Sequence, residues 1–413
     1  MKEAVSVVGL GKAGLPLAVV IADAGHFVLG VDVSQKVVDM INRGECPVKG
    51  EPGLPEMVKK HHGKNLHASS DPVDSSRKTT THIVIVPLYI DDKYQPDFAI
   101  IDSAMAGVGK GLKRGDLVVV ETTMPVGTTS NRLRGILERE SGLKAGSDFY
   151  LAYSPERIMT GFSISRFKEF PKIVGGVSKE STERAFKFYS TFCKRVSKVD
   201  NTETAEMTKI AEGVYRDVNI AIANELLKVC EEYGIDFWKM REAANHEYCN
   251  ILEAGCGVGG HCIPVYPQFI IQDFKKKGRV VPLASAAREV NDGMAEYYFK
   301  KVTAALEAKG KTLSGAKVAV VGLAFREGVD ETFYTRAKPL VRMLKEGGAV
   351  VYGIDPMISD ARIKDEFCII PDSGRDFKGF DCVLVVHKNV EYRNRLLAVK
   401  NLVPVVSCKS LQE

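Results

Sequence analysis

Ala4-Val5-Ser6-Val7-Val8-Gly9-Leu10-Gly11-Lys12-Ala13-Gly14-Leu15 is the stretch on which the fold turns. Its valine-rich run predicts a short strand, the spacing Gly9-x-Gly11-x-x-Gly14 a tight turn, and the apolar residues 15–24 a helix. Gly25 stops that helix, and Phe27-Val28-Leu29-Gly30-Val31 predicts a second strand running into Asp32. In such a unit Gly9 makes the turn, Gly11 lets the backbone approach a pyrophosphate closely, and Gly14 allows the helix to pack on the strand. The first N–H groups of the helix and its positive dipole end face the phosphates. A carboxylate at Asp32 accepts from the adenosine ribose hydroxyls and repels a 2′-phosphate, which favours NAD over NADP.

Outward from this unit, further β-type runs at 82–86 and Leu117–Val120 alternate with helical segments, the pattern of a parallel, doubly wound sheet. The middle of the chain differs. Residues 202–234 form one long helical pattern with no proline and with Gly213 as its only interior glycine, a spine between domains and a candidate dimer core. The opening then returns: Lys317-Val318-Ala319-Val320-Val321-Gly322-Leu323 echoes residues 4–10, and Ala349-Val350-Val351-Tyr352-Gly353-Ile354-Asp355 echoes residues 26–32. The fold class expected is α/β, with two Rossmann-like, doubly wound parallel-sheet domains joined by a long-helix dimerisation region. The expected boundaries are 1–198, 199–300 and 301–413. The second unit lacks the closely spaced glycines, so it is expected to bind its ligand differently.

Composition narrows the function classes. The 413 residues carry 57 Lys and Arg against 52 Asp and Glu, so the net charge of +5 is too weak to suggest a nucleic-acid partner. Hydrophobic residues at 45% and charged residues at 26% match a globular protein rather than a disordered or collagenous one. No apolar run reaches the roughly 18 residues of a membrane span, and the start of the chain does not read as a signal peptide. The nine cysteines are scattered without a CxxC pair, which argues against a zinc site and for a reducing, cytoplasmic setting.

Four more segments are specific. They are Glu121-Thr122-Thr123-Met124-Pro125-Val126-Gly127-Thr128-Thr129, Ser154-Pro155-Glu156-Arg157, Ala205-Glu206-Met207-Thr208-Lys209, and Gly257-Val258-Gly259-Gly260-His261-Cys262-Ile263-Pro264. In order and spacing the chain resembles the UDP-glucose/GDP-mannose dehydrogenase family over almost its whole length, and its Gly-Gly-His-Cys-Ile-Pro form is most similar to the UDP-N-acetylmannosamine dehydrogenase branch. The resemblance implies NAD as cofactor, a UDP-sugar as substrate, a homodimer, and oxidation of a sugar C6 alcohol to a carboxylate. It implies Cys262 as the nucleophile that forms first a thiohemiacetal and then a thioester. It gives Lys209 to the oxyanions, and Thr123 and Glu156 to the surroundings of the reacting carbon, with Glu156 relaying protons through water. Val86 and Thr123 would join Gly9, Gly11, Gly14 and Asp32 around the cofactor. Arg157, Asn250, Gly257, Gly259, Gly260, Phe325 and Arg326 would hold the nucleotide sugar.

Other readings compete for some of these residues. Lys209 is three residues from both Glu206 and Glu212, a spacing that also suits a surface ion pair. His261 reads as a structural histidine, Lys275-Lys276-Lys277 as a solvated helix end, and Arg288 and Asn291 receive no role. The chain also departs from the family. Tyr266 stands where an Asp usually follows the Cys by four residues, and Gly213 where an Asn usually follows the Lys by four. Cys249 replaces a linker Arg, Phe333 another Arg, and Leu88-Tyr89 a Thr-Pro. Neither a phenol nor a glycine does the work of an ionised carboxylate and an amide. A tight-NAD epimerase, working by transient oxidation and re-reduction, and a non-catalytic nucleotide-sugar-binding paralogue therefore stand beside the dehydrogenase.

Overall fold

The computed structural model describes residues 2–91, 93–158, 161–374, 376–388 and 390–411. The chain divides into two compact units, Met1–Ala211 and Glu212–Glu413.

In the first unit, strands β1 (Ala4–Val8), β2 (Phe27–Val31), β3 (Leu66–Ser69), β4 (Thr81–Val84), β5 (Leu117–Val120), β6 (Tyr150–Tyr153), β7 (Lys172–Gly176) and β8 (Val196–Lys198) form one sheet. Its order is β8-β7-β6-β5-β4-β1-β2-β3. Every pairing is parallel except β6 with β7. Valine runs suit these strands because helices cover both faces, so no residue of β5 reaches solvent. The run expected at 82–86 is realised as β4, whose ladder stops short of Pro87, a residue with no N–H to contribute. Helix α1 (Gly14–Asp23) begins one residue before the expected start, and all its residues except the last are buried. The glycine turn and the first helical turn therefore sit at the carboxyl ends of β1 and β4, where the order of strands reverses. Open α/β sheets bind their ligands at that place.

In the second unit, β9 (Lys317–Val321), β10 (Val350–Ile354), β11 (Ile370–Pro371), β12 (Cys382–Val385) and β13 (Val405–Ser407) form a sheet of order β11-β10-β9-β12-β13. All its pairings are parallel. The echo seen in the sequence is thus an echo in register: β9 pairs with β10 as β1 pairs with β2.

The long helix α2 (Thr202–Glu232) contains the boundary between the units. Its 31 residues span about 46 Å at 1.5 Å per residue. Asn201 caps its start by accepting from the N–H and hydroxyl of Thr204, and Gly234, with φ of 66°, follows its end. Helices α3 (Tyr266–Lys276), α4 (Pro282–Glu307) and α5 (Ala337–Glu346) complete the framework of the second unit. Lys275 and Lys276 close α3 and are exposed, as a solvated helix end requires.

Candidate active site

In the first unit the glycine turn is shaped from both sides. Gly9 has φ of 98°, and its N–H bonds the Val31 carbonyl at 2.8 Å. A Cβ on Gly14 would lie 1.7 Å from the Gly9 carbonyl oxygen, so Gly14 is what lets α1 start against the turn. A Cβ on Gly9 would meet the Ile85 carbonyl oxygen at 2.6 Å and Val86 at 3.1 Å, which places Val86 on the turn. Gly11 is different: nothing lies within 4 Å of the position its Cβ would take. Its side is open space rather than a packing contact. Asp32 closes the unit by accepting from Leu10 N at 3.0 Å and Ser34 N at 2.9 Å. Two acceptances leave room on a carboxylate that offers about four lone-pair directions.

The quoted motifs of the first unit meet at the ends of β5 and β6. Glu206, buried at the start of α2, accepts from Gly127 N at 2.6 Å, Thr129 N at 2.9 Å and Thr129 Oγ1 at 2.7 Å, tying the helix to the Glu121–Thr129 segment. Burial pushes its carboxyl up to about 7, against the pull of those donors. Lys209, one turn nearer its middle, donates to the Glu156 carbonyl oxygen. Its Nζ is thus directed at the Ser154–Arg157 segment. Glu156 is half-buried. Desolvation pushes its carboxyl up, while Lys209, Ile158 N–H and Lys172 pull it down. Thr123 stands beside the Tyr153 phenol, which is fully buried. Arg157 donates to the Pro171 carbonyl at 3.1 Å and lies over the Phe170 ring.

Beneath these groups is a set that sequence reasoning missed. Lys172 donates to Glu121 at 2.6 Å and to the Pro155 carbonyl at 3.4 Å, and the Tyr189 hydroxyl donates to the other Glu121 oxygen. All three residues are buried. Glu121 was visible as the first residue of its motif, but Lys172 and Tyr189 carry no local signal because they arrive from distant strands and helices.

In the second unit, Cys262 is exposed in a turn whose carbonyl accepts from Val265 N at 3.2 Å and Tyr266 N at 3.0 Å, one turn before α3. The loop leading to it packs closely. A Cβ on Gly259 would meet Phe325 at 3.2 Å and the Tyr334 carbonyl at 3.0 Å, and one on Gly260 would meet the Phe325 ring at 2.9 Å. Arg326 lies over that ring at 5.6 Å. The structure thus brings Gly257, Gly259, Gly260, Phe325 and Arg326 to one place, whereas Asn250 is exposed on the preceding loop. His261 stacks on Phe333 at 4.0 Å and faces Glu331 at 3.7 Å, so one family departure, Phe333, has become a partner of this histidine.

Two further departures, Gly213 and Tyr266, are a single event in three dimensions. A Cβ on Gly213 would lie 2.7 Å from Cδ2 and 2.8 Å from Cβ of Tyr266. The Tyr266 ring fills the space a side chain at 213 would need, so a tyrosine seated this way at 266 requires a glycine at 213.

Comparison with known proteins decides the family. The family's NAD binding domain matches residues 3–193, its central domain 203–293 and its UDP binding domain 319–408. The chain belongs to the UDP-glucose/GDP-mannose dehydrogenase family. It is 36% identical over 372 residues to the UDP-N-acetyl-D-mannosamine dehydrogenase of Campylobacter jejuni, covering 87% of this chain and 88% of that one. Among solved structures it is similar to the UDP-D-ManNAc dehydrogenase of Pyrococcus horikoshii, with TM-score 0.90 and 29% identity over 99% of this chain and 96% of that chain. It is also similar to an NDP-N-acetyl-D-galactosaminuronic acid dehydrogenase of Methanosarcina mazei, with TM-score 0.86 and 31% identity over 100% of this chain and 92% of that chain. The protein is an NAD-dependent nucleotide-sugar dehydrogenase, and the α/β fold expected from the glycine turn is the one found. The first cradle fits the dinucleotide: Gly11 is open on its ligand side and Asp32 keeps acceptor capacity. Among the described residues no helix is long and apolar enough to cross a membrane.

Proposed function

We propose that the protein oxidises the C6 alcohol of a UDP-linked, N-acetylated hexose to the carboxylate, supplying a sugar acid for polysaccharide synthesis. The observation that carries this reading is Cys262, an exposed thiol in a tight turn, on a chain with both an NAD binding and a UDP binding domain. The N-acetylated sugar is favoured because the relatives at 36% identity bear the name UDP-N-acetyl-D-mannosamine dehydrogenase. A functional division into 1–198 for NAD, 199–300 for the helical centre and 301–413 for the UDP-sugar accompanies it.

Bound NAD supplies the hydride acceptor. The protein's own groups supply the rest. The Cys262 sulfur adds to the C6 aldehyde, and the start of α3 one turn on favours negative charge at that end of the helix. The Lys209 ammonium, held by the Glu156 carbonyl, is the cation for oxygen anions at C6. In the last step a water oxygen bonds to C6, the C–S bond breaks, and a proton is released. Gly213 and Tyr266 offer no amide to orient that water and no carboxylate to take the proton, so the proton falls to Glu156, whose burial holds its carboxyl above the usual range. Thr123, beside the buried Tyr153 hydroxyl, orients the carbinol.

The active form in this reading is a homodimer built on α2. Tyr215, Ile222 and Val229 recur every seven residues along that helix and are 68%, 49% and 43% exposed, a stripe on one face with no covering in the single chain.

Incubation with NAD and a panel of UDP-sugars tests the proposal. The expected result is two NADH per sugar and a product in which one oxygen replaces two hydrogens. A sugar isomer of equal mass without NADH would overturn it in favour of epimerisation. Cys262→Ala is expected to abolish acid formation while NAD binding persists.

A further inference from the structure

Within the second unit a chain of buried polar side chains reaches the loop that leads to Cys262. Asp217 and Asn224 lie two turns apart on one face of α2, and Arg288 and Asn291 lie on α4. All four are buried. Arg288 donates to Asp217 Oδ1 at 2.7 Å, and Asn291 Nδ2 donates to the same oxygen at 2.8 Å and to the Asp217 carbonyl at 3.0 Å. Asn224 Nδ2 donates to Asn291 Oδ1 at 2.9 Å, and Asn224 Oδ1 accepts the N–H of Gly255 at 2.8 Å. A second arm comes from the residue before α5. Arg336 donates to the Asp292 carbonyl at 2.9 Å and to the Cys256 carbonyl at 3.3 Å. Gly257, with φ of 88°, completes the seat, since a Cβ there would be 2.2 Å from the Asn291 carbonyl oxygen.

This arrangement is not one that stability alone selects. Asp217 Oδ2 and Arg288 Nε are buried without a hydrogen-bond partner among the described residues. A buried ion pair left partly unsatisfied gains little net stability, and apolar residues of similar volume would serve packing as well. What the set does provide is a fixed address for two successive peptide groups, the Gly255 amide and the Cys256 carbonyl, a few residues ahead of the thiol.

We propose that Asp217, Asn224, Arg288, Asn291 and Arg336 are positioning residues that brace the 255–257 backbone and so set where Cys262 presents its sulfur. The inference rests on Cys262 as the nucleophile. Side-chain networks of this kind act through geometry, and a shift of about 1 Å at a reacting group costs on the order of 10²-fold in rate.

The test uses the full-length protein and the variants Asn224→Ala and Arg336→Gln, the second at a partly exposed position that avoids a core change. Hydrogen–deuterium exchange in peptides covering 251–262, NAD binding, and kcat and KM with NAD and a UDP-sugar are measured together. Faster exchange in 251–262, NAD binding unchanged, and kcat lowered tenfold or more with KM for NAD unchanged is the expected result. Faster exchange with kcat intact would overturn the proposal, and so would exchange that does not change. If Asn224→Ala does not fold, Arg336→Gln alone decides between these outcomes. Failure of the underlying reading looks different: Cys262→Ala would still form the acid, whatever the brace variants do.

Discussion

Gly9 and Gly322 hold the same place in two units built on one plan, yet the surroundings prepare them for different ligands. Both follow a first parallel strand, with φ of 98° and 93°, and both donate to the last residue of the second strand, at 2.8 and 2.9 Å. Each unit has a glycine inside its second strand, Gly30 and Gly353, where a Cβ would press on Leu10 and Leu323 at 2.8 and 2.9 Å. Each ends that strand in an aspartate that receives the following N–H, Leu10 to Asp32 and Leu323 to Asp355. The likeness stops there. In the first unit α1 begins at Gly14, so helix N–H groups and dipole meet the turn directly. In the second, α5 begins only at Ala337, and the intervening loop carries Phe325, which closes on the glycines before Cys262, and Arg326, which lies over the Phe325 ring. Asp355 is buried and also accepts from Ala324 N and Met357 N, with His387 3.7 Å away, whereas Asp32 keeps capacity for a ribose. One scaffold thus makes one carboxylate with acceptor capacity to spare and another that is buried and committed mainly to the N–H groups around it.

The largest effect that would break this contrast is at Gly14. Gly14→Val should abolish NAD binding and lower the melting temperature, because its Cβ would collide with the Gly9 carbonyl at 1.7 Å. Gly11→Val sharpens it: with open space at that position, the melting temperature should hold while NAD affinity falls at least tenfold in a fluorescence titration. Intact NAD binding in Gly11→Val would remove the assignment of that face to the ligand.

Gly322→Ala should act in the other unit only. Its Cβ would meet the His387 ring at 2.8 Å at a backbone angle unfavourable for a side chain, so UDP affinity should fall while NAD affinity stays, read by calorimetry with each ligand.

Asp355 and Asp32 should separate into stability and selectivity. Burial alone would push the Asp355 carboxyl up, but His387 and the N–H groups of Ala324, Met357 and Leu323 outweigh it and hold it below the usual range. A depressed carboxyl stabilises the fold above its unfolded value near 3.9, and that stabilisation is lost as pH falls through the folded value. Asp355→Asn should therefore cost on the order of 1–3 kcal/mol at neutral pH and flatten the acid limb of stability, measured by urea unfolding across pH. Asp32→Ser should cost less stability than Asp355→Asn, because Asp32 is only half-buried, and should narrow the preference for NAD over NADP.

The smallest effect lies outside both turns. Gly213→Ala should lower stability through its clash with the Tyr266 ring, and Tyr266→Ala in the same chain should recover part of the loss. Simple additivity of the two changes would mean that the ring and the glycine are not a matched pair.

Much of the architecture was legible because local physics writes it locally. The glycine spacing, the valine strands and the absence of proline over 202–234 each depend on a few neighbouring residues, and the duplication at 317–355 was a matter of comparing two short strings. Cys262, Lys209 and Glu156 stand in segments whose sequence is distinctive. Their partners do not. Arg288 and Asn291 carried no sequence signal, yet they are buried and brace a loop more than thirty residues away in the chain. Lys172 and Tyr189 were equally silent and support the segment that bears Glu156.

The amino-acid order by itself determined the two glycine-turned α/β units, the long helix and the aspartate that follows the second strand of each unit, since backbone φ, helix propensity and strand hydrophobicity are properties of neighbours. Only the tertiary structure decided that Gly213 and Tyr266 are one feature, that Asp355 is buried under three N–H donors, and that Asn224 holds Gly255. Those facts depend on which distant side chains compete for the same few ångströms, and that is settled by packing.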